Sequence, residues 1–401
     1  MTDQKTEGLT TLQQYAIYAT GLFTLSTSHM VAVVVPLWVL TMGPTALMMG
    51  IVLGSRAVLP LILSIHGGAL MDRLGARLVM LICTVLGIAV SISYPMLPWL
   101  PAVVVLQLLG GMSENMAWIG GQTMVGQLLK GDPVHAGRLS FSTRLGGFIG
   151  PPLIGAAWDF IGVWGAFLLL ASWMGILLAC VLVLPKPVTT TPAPSIRIRD
   201  LMPRYRDYVS AFALLASPVL AVVMAVSMLR IGNVAIQNSF YVVYLNGIDL
   251  LGTQIGTLLA VSNGMAVFST VMTGPFVRII GNYWFLVITS VFAVGAMGVT
   301  PIAGTFVLLL LAAAVRGTAM GASQTVLIST TSKATHSDDQ GKAVGLRSTA
   351  NLFAHAILPP IMGAVIDLIG MDDSFLVICS VLIAGILIAG FLGRKTASIV
   401  K

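Results

Sequence analysis

Apolar runs of about 20 residues follow one another along the whole chain, and that is the length a helix needs to cross a hydrocarbon layer roughly 30 Å thick. Of the 401 residues, 57% are hydrophobic and 9% charged, whereas a soluble domain carries roughly a quarter charged residues. In lipid every backbone N–H and C=O must be paired inside the segment that spans, so these runs can only be helices or a closed barrel, and runs this long and unalternating are helices. The expected fold is an all-α integral membrane protein. Spans are expected at 12–40, 47–66, 76–94, 102–128, 138–158 and 162–184, then at 212–244, 252–273, 283–301, 304–330, 341–366 and 374–393.

These twelve spans divide into two sets of six. Between them lies a stretch rich in Pro, Thr and basic residues (Lys186, Arg197, Arg199, Arg204, Arg206), a composition that suits a solvated linker. The expected organisation is a six-helix bundle over 1–184, a cytoplasmic linker over 185–210 and a second six-helix bundle over 211–401. Lys and Arg cluster in alternate loops, at 72–77, 130–138, 186–206, Arg278, 333–342 and 394–401, and are missing from the loops between. By the positive-inside rule both termini then face the cytoplasm, and the expected location is the cell inner membrane. The net charge of +7 follows from that asymmetry and needs no nucleic-acid partner.

The same residues exclude other classes. Cys83, Cys180 and Cys379 lie far apart in apolar runs, which suggests neither disulfides nor a metal site. Residues 1–11 are polar and lead into the first span without a small-residue cleavage pattern, so no removable signal peptide is expected. With no His or Cys cluster at metal spacing and no nucleotide loop, neither enzyme chemistry, cofactor nor metal is expected. The partners are a small solute, protons and the bilayer, and the chain is expected to act as a monomer.

The two sets of helices echo each other: Gly-Gln-Thr at 121–123 matches Ser-Gln-Thr at 323–325, and residues 149–155 match 357–363, each with a Pro-Pro pair, an apolar pair and Gly. Parallel transporter repeats leave such weak symmetry. Between the second and third spans stand Gly68, Asp72, Arg73, Gly75 and Arg77. This loop resembles the cytoplasmic signature of the major facilitator superfamily, and the resemblance implies that it latches the outward-facing state. The equivalent loop of the second half, from Gly274 to Gly281, carries Arg278 and no acid. In the fifth span Gly146, Gly150, Pro151, Pro152 and Gly155 are similar to the glycine-proline motif of exporters and antiporters, which places Gly150 and Pro151 among the gating residues. The resemblance implies a secondary carrier working by alternating access, with efflux of a drug-like or sugar-like solute as the favoured direction. A proton-coupled importer of an organic anion and a lipid or lysolipid flippase on the same fold are the alternatives. The arginine that drug antiporters often carry in the fourth span is replaced by Gln107, four residues before Gly111.

Charge at membrane depth is costly and marks functional positions. Arg56, Arg144, Arg230, Arg316 and Arg347 fall within spans, with His29 and His355, against Glu114 as the embedded acid. The excess of arginine points to an anionic or zwitterionic solute, because the guanidinium fork holds carboxylate or phosphate in bidentate fashion. In the seventh span Arg230, Asn233, Gln237, Tyr241 and Tyr244 recur every three or four residues and form one polar stripe; Glu114, Trp118 and Gln122 do the same in the fourth. The expected substrate-binding set is thus Arg56, Arg144, Arg230, Arg316, Arg347, Asn233, Gln237, Tyr241 and Trp118. Glu114 is the expected proton carrier, either paired with Arg316 or sharing a substrate site with it, and His29 is the second choice. Asp159 and Asp367 stand at span ends, where hydration lowers their cost.

Overall fold

The computed structural model describes residues 9–129, 132–185, 218–333 and 340–394. The linker and the side chains of Asp72 and Arg73 lie outside the described residues, as does Gly68 beyond its place in a helix. The described secondary structure is helical throughout. The helices are α1 (Thr11–Leu40), α2 (Ala46–Ser55), α3 (Val58–Leu74), α4 (Ala76–Met96), α5 (Leu100–Leu128), α6 (Pro133–Val183), α7 (Pro218–Ile236), a π turn (Gln237–Tyr241), α8 (Val242–Gly247), α9 (Gly252–Ile280), α10 (Asn282–Gly298), α11 (Phe306–Lys333), α12 (Gln340–Ile369) and α13 (Met371–Leu392).

Ten of the described segments are long and apolar enough to cross a membrane, and the shorter Asn282–Gly298 is apolar as well. The fifth and sixth spans follow each other within α6, with the break between them at Gly162, which takes φ 75°. The second span is instead broken into α2 and α3. Pro60 explains this break, because its ring crowds the carbonyl four residues earlier, which belongs to Arg56, and it offers no N–H to that carbonyl.

Corners repeat between the halves. Gly75 ends α3 and starts α4 at φ 84°, and Gly281 does the same for α9 and α10 at φ 84°. Gly162 in α6 (φ 75°) is matched by Gly370 between α12 and α13 (φ 86°). Only glycine enters this region without a Cβ clash, so the sharp reversals of the two halves rest on the same residue type.

The halves meet along two seams. In one, α6 packs on α9; in the other, α2 packs on α12. Each seam is held by glycines pressed onto backbone carbonyls of the opposite helix: a Cβ on Gly155 would strike the Gly252 carbonyl, one on Gly256 the Pro151 carbonyl, one on Gly50 that of Pro359, and one on Gly363 that of Ala46. Small residues allow such close approach in a bilayer, where lipid competes for apolar contact. Gly146 and Gly150 instead face Leu22 and Ser26 of α1 within their own half. The glycine-proline run therefore serves two interfaces. Pro151 adds a third link: it cannot donate to the Gly147 carbonyl, and Asn263 of α9 donates Nδ2 to that oxygen at 2.7 Å.

Both seams lie toward the face where α1 ends and α2 begins, opposite the face where α1 starts. Here Asp159 and Asp367 do more than sit in water. Asp159 accepts from the backbone N–H groups of Gly252 and Thr253 at 2.8 and 2.7 Å, and Asp367 accepts from those of Ala46 and Leu47, both at 3.0 Å. Each carboxylate satisfies orphan donors at a helix N-terminus that belongs to the other half of the molecule.

Candidate functional site

The break at Pro60 places Arg56 between α2 and α3, and its backbone carbonyl turns onto Gly111 of α5, where any Cβ would collide with it. That approach carries the side chain into the span occupied by Gln107 and Glu114. The guanidinium forms an ion pair with Glu114, and Nη1 donates to Gln107 Oε1 at 2.9 Å. Tyr94 of α4 donates its hydroxyl to the same oxygen at 2.9 Å. Tyr94 is itself fixed by rings, stacked on Phe167 at 5.1 Å and edge-on to Trp38 at 5.7 Å. Four residues from three spans thus form one chain of polar contacts: Tyr94, Gln107, Arg56, Glu114.

This chain borders a cavity of about 260 Å³ between the halves. Its wall takes Thr24 and Ser28 from α1, Arg56 from the helix break, and Gln107, Glu114, Asn115 and Trp118 from α5. The other half supplies Ala235, Asn238 and Ser239 from the seventh span and Leu352, His355 and Pro359 from α12. The lining combines a paired cation and anion, neutral hydrogen-bonding groups and apolar surface, the make-up of a site that orients a small polar solute through a few fixed contacts.

Among the expected site residues, Arg56, Trp118 and Glu114 line this cavity. Arg316 is not the partner of Glu114. It is 1% exposed, with its guanidinium carbon 4.6 Å from the Tyr241 ring centroid, its Nε toward Ser262 Oγ at 3.4 Å and Nη1 toward Met297 Sδ at 3.6 Å. Tyr241 is therefore the aromatic floor under a buried cation. Arg230 donates to Gln324 Oε1 at 2.7 Å and Ser323 Oγ at 3.3 Å and is equally enclosed. Asn233 is fully buried, with no hydrogen-bond partner for either amide atom among the described residues. None of these, nor Gln237, Arg144 or Arg347, borders the cavity.

The seventh span shows why the stripe read from its spacing turns away. Residues 237–241 form a π turn, which advances the chain by an extra residue per turn and shifts the face presented by everything on either side. Asn238 and Ser239 thereby reach the cavity, while Tyr241 and Arg230 turn toward α11. His29, the second-choice proton carrier, lies apart from this cavity. Its Nδ1 lies 2.8 Å from the Leu25 carbonyl and its ring faces Gly147 of α6, outside the cavity wall, whereas His355 is part of that wall.

Of the signature-loop residues, Gly75 forms the corner already described, and Arg77 donates Nη2 to the Leu182 carbonyl at 2.8 Å and Nε to that of Val181 at 3.3 Å. A basic side chain on the last carbonyls of a helix satisfies orphan acceptors and complements the dipole, so Arg77 ties α4 to the end of α6. Among the described residues no group of His, Cys, Asp or Glu could hold a metal ion.

Comparison with known proteins agrees with this architecture. The structure is similar to that of a single-residue mutant of the nucleoside transporter NupG, with a TM-score of 0.78, 17% identity, and coverage of 97% of this chain and 100% of that one. It is also similar to a bacterial homologue of the human lysosomal transporter Spinster in an inward-facing, unoccupied conformation (TM-score 0.71, 12% identity, 98% of both chains). A POT family transporter in complex with 5-aminolevulinic acid matches at a TM-score of 0.74 and 14% identity, covering 97% of this chain and 96% of that one. Among curated proteins none matches the sequence significantly. The profile of the Major Facilitator Superfamily matches residues 17–244 and 223–399, and the chain belongs to that superfamily of membrane transporters.

Proposed function

We propose that the protein is a proton-coupled secondary carrier of a small zwitterionic or anionic organic solute, which binds in the cavity beside the Arg56–Glu114 pair. One observation carries the reading: this ion pair borders the cavity between the halves, so solute and proton act on the same two groups. The solute is moved unchanged, by rocking of the halves around a central site. Twelve passes follow if α6 is counted as two spans across Gly162 and α2 with α3 as one. By the positive-inside rule the face bearing Thr11 is cytoplasmic, in the inner membrane, and the seams close the outer side. The divisions 1–184, 185–210 and 211–401 are the rocking bodies and their linker, and the loop from Gly68 to Arg77 is the latch for the opposite state.

The sign of coupling follows from the pair. While Glu114 is ionised it occupies the Arg56 fork; once protonated it releases the guanidinium, which cannot lose its own proton, to a solute carboxylate. A proton and an anion therefore assist each other's binding, and by linkage the assistance is reciprocal. Such a pair favours movement of both in one direction, which the inward proton gradient makes uptake. The second reading is efflux in exchange for protons, favoured by the glycine-proline run of residues 146–155. It requires a solute that competes with the proton for Glu114.

The test is binding of carboxylate-bearing and zwitterionic metabolites to purified protein by thermal shift, followed by titration of any hit against pH. Affinity that rises as pH falls, and that drops more than about tenfold in Arg56→Gln, on the order of 1.4 kcal/mol, supports cotransport. Affinity that falls with acid supports exchange. A hit unaffected by Arg56→Gln would remove the pair from the substrate site.

A further inference from the structure

We infer that the second half holds a separate anion-binding site between Arg230 of α7 and Arg347 of α12. Arg230 is fully buried, yet its hydrogen-bond partners among the described residues are neutral: Gln324 Oε1 at 2.7 Å, Ser323 Oγ at 3.3 Å and Met320 Sδ at 3.4 Å. Its Nε has no hydrogen-bond partner among the described residues. Among the described residues the one ion pair is Arg56–Glu114, so no carboxylate there balances this charge. A second cation stands on the facing helix: Arg347 is one turn before Asn351, whose Oδ1 accepts from Ser227 Oγ one turn before Arg230. Arg347 is partly buried and forms no hydrogen bond or ion pair among the described residues.

A buried cation without a counter-charge costs several kcal/mol, and arginine does not escape that cost by losing its proton. A bound anion would remove that cost, and here, unlike at Arg316 with its Tyr241 ring, a second cation on the facing helix favours one. The surroundings suit an anion. Ser227 and Arg230 stand three residues apart on α7, and Arg347 and Asn351 four apart on α12, so each pair shares a helix face. The two helices pack together, with Ser227 Oγ 3.5 Å from Asn351 Oδ1. The site thus offers two guanidinium forks and one amide N–H₂, and Arg347 is the more exposed of the two arginines. None of its residues lines the central cavity, so the inference stands whether or not Arg56 binds the solute. The ligand is a small anion with hydrogen-bond-accepting atoms, either a free inorganic ion or a carboxylate or phosphate borne by an organic molecule.

The experiment measures the unfolding temperature of the full-length protein in detergent while chloride or inorganic phosphate replaces isethionate at constant ionic strength. Bound ligand raises apparent stability by mass action. A saturable rise is expected in wild type, with the half-saturating concentration at least tenfold higher in Arg347→Gln, no saturation in Arg230→Gln, and no change in the exposed control Arg278→Gln. If Arg230→Gln does not fold, the Arg347→Gln titration decides alone. Saturation by chloride or phosphate assigns the site to a free ion; saturation only by organic carboxylates or phosphate esters, with the same dependence on Arg347, assigns it to an anion carried on a larger molecule. The inference is overturned if no anion of either kind stabilises the protein, if Arg347→Gln titrates like wild type, or if Arg56→Gln moves the titration and Arg347→Gln does not.

Discussion

Asp159 holds Thr253 by two hydrogen bonds, from the backbone N–H at 2.7 Å and from the hydroxyl at 2.6 Å, although the two residues lie in opposite halves of the molecule. The mirror contact joins Asp367 to the first residues of α2. A carboxylate on helix N-terminal donors contributes about 1–2 kcal/mol. Asp159 is partly buried and Asp367 exposed, so water screens the second more strongly. Asp159→Ala should therefore shift the closed seam toward opening by roughly 5–30-fold in population, with Asp367→Ala weaker and the double variant strongest. Spin labels at Thr41 and Leu251, on either side of the seams, would read this as a longer distance component. An unchanged distance distribution in the double variant would show that glycine packing alone closes this face.

The glycine contacts give a second, sharper expectation. A methyl group on Gly256 has no space against the Pro151 carbonyl, whereas nothing lies near a Cβ on Gly126. Gly256→Ala should slow transport at least tenfold while the protein still folds, because separating the helices of one seam disfavours the closed state. Gly126→Ala should transport like wild type. Equal rates for both would mean that α6 and α9 can part without consequence.

Arg316 presents the opposite case. Its cation–π contact with Tyr241 is worth about 2 kcal/mol when dry, but an unneutralised buried charge costs more than that, and apolar residues of similar volume often replace buried charges without loss. Arg316→Met is thus expected to unfold at the wild-type temperature or above, with solute affinity changed less than threefold. A tenfold loss of affinity would return Arg316 to the binding site.

Much of this architecture is legible in the sequence. Hydropathy and the alternation of Lys and Arg yield spans whose ends differ by only a few residues from most of the helices. Glu114, Arg56 and Trp118 stand out because charge and polarity at membrane depth are rare. What periodicity cannot supply is the phase of the seventh span, since a π turn leaves no mark in apolar spacing, so Gln237 and Tyr241 draw the eye in place of Asn238 and Ser239. The partner of Glu114 is hidden for a related reason: a continuous second span gives no cause for Arg56 to turn toward α5. Two signals do exist. Pro60 stands four residues after Arg56, and Asp-x-Ile-Gly occurs at both 159–162 and 367–370, with each left-handed glycine three residues after its aspartate.

Pro60 accordingly gives the last prediction. With alanine at this position the Arg56 carbonyl would regain an N–H donor four residues on, and the ring that crowds it would be gone, so α2 and α3 should join into one straight helix; removing proline from a helix interior favours the helix by about 3 kcal/mol. Straightening draws the Arg56 carbonyl away from Gly111 and the guanidinium away from Gln107 and Glu114. The protein should therefore be at least as stable as wild type, yet bind solute more weakly and lose its response to a pH gradient in proteoliposomes. Arg56→Gln shares the loss of binding, but it removes the charge and leaves the helix break in place. A structure of Pro60→Ala that keeps the break, or full pH-driven transport by this variant, would show that the position of Arg56 is set by its contacts with α5 and not by proline.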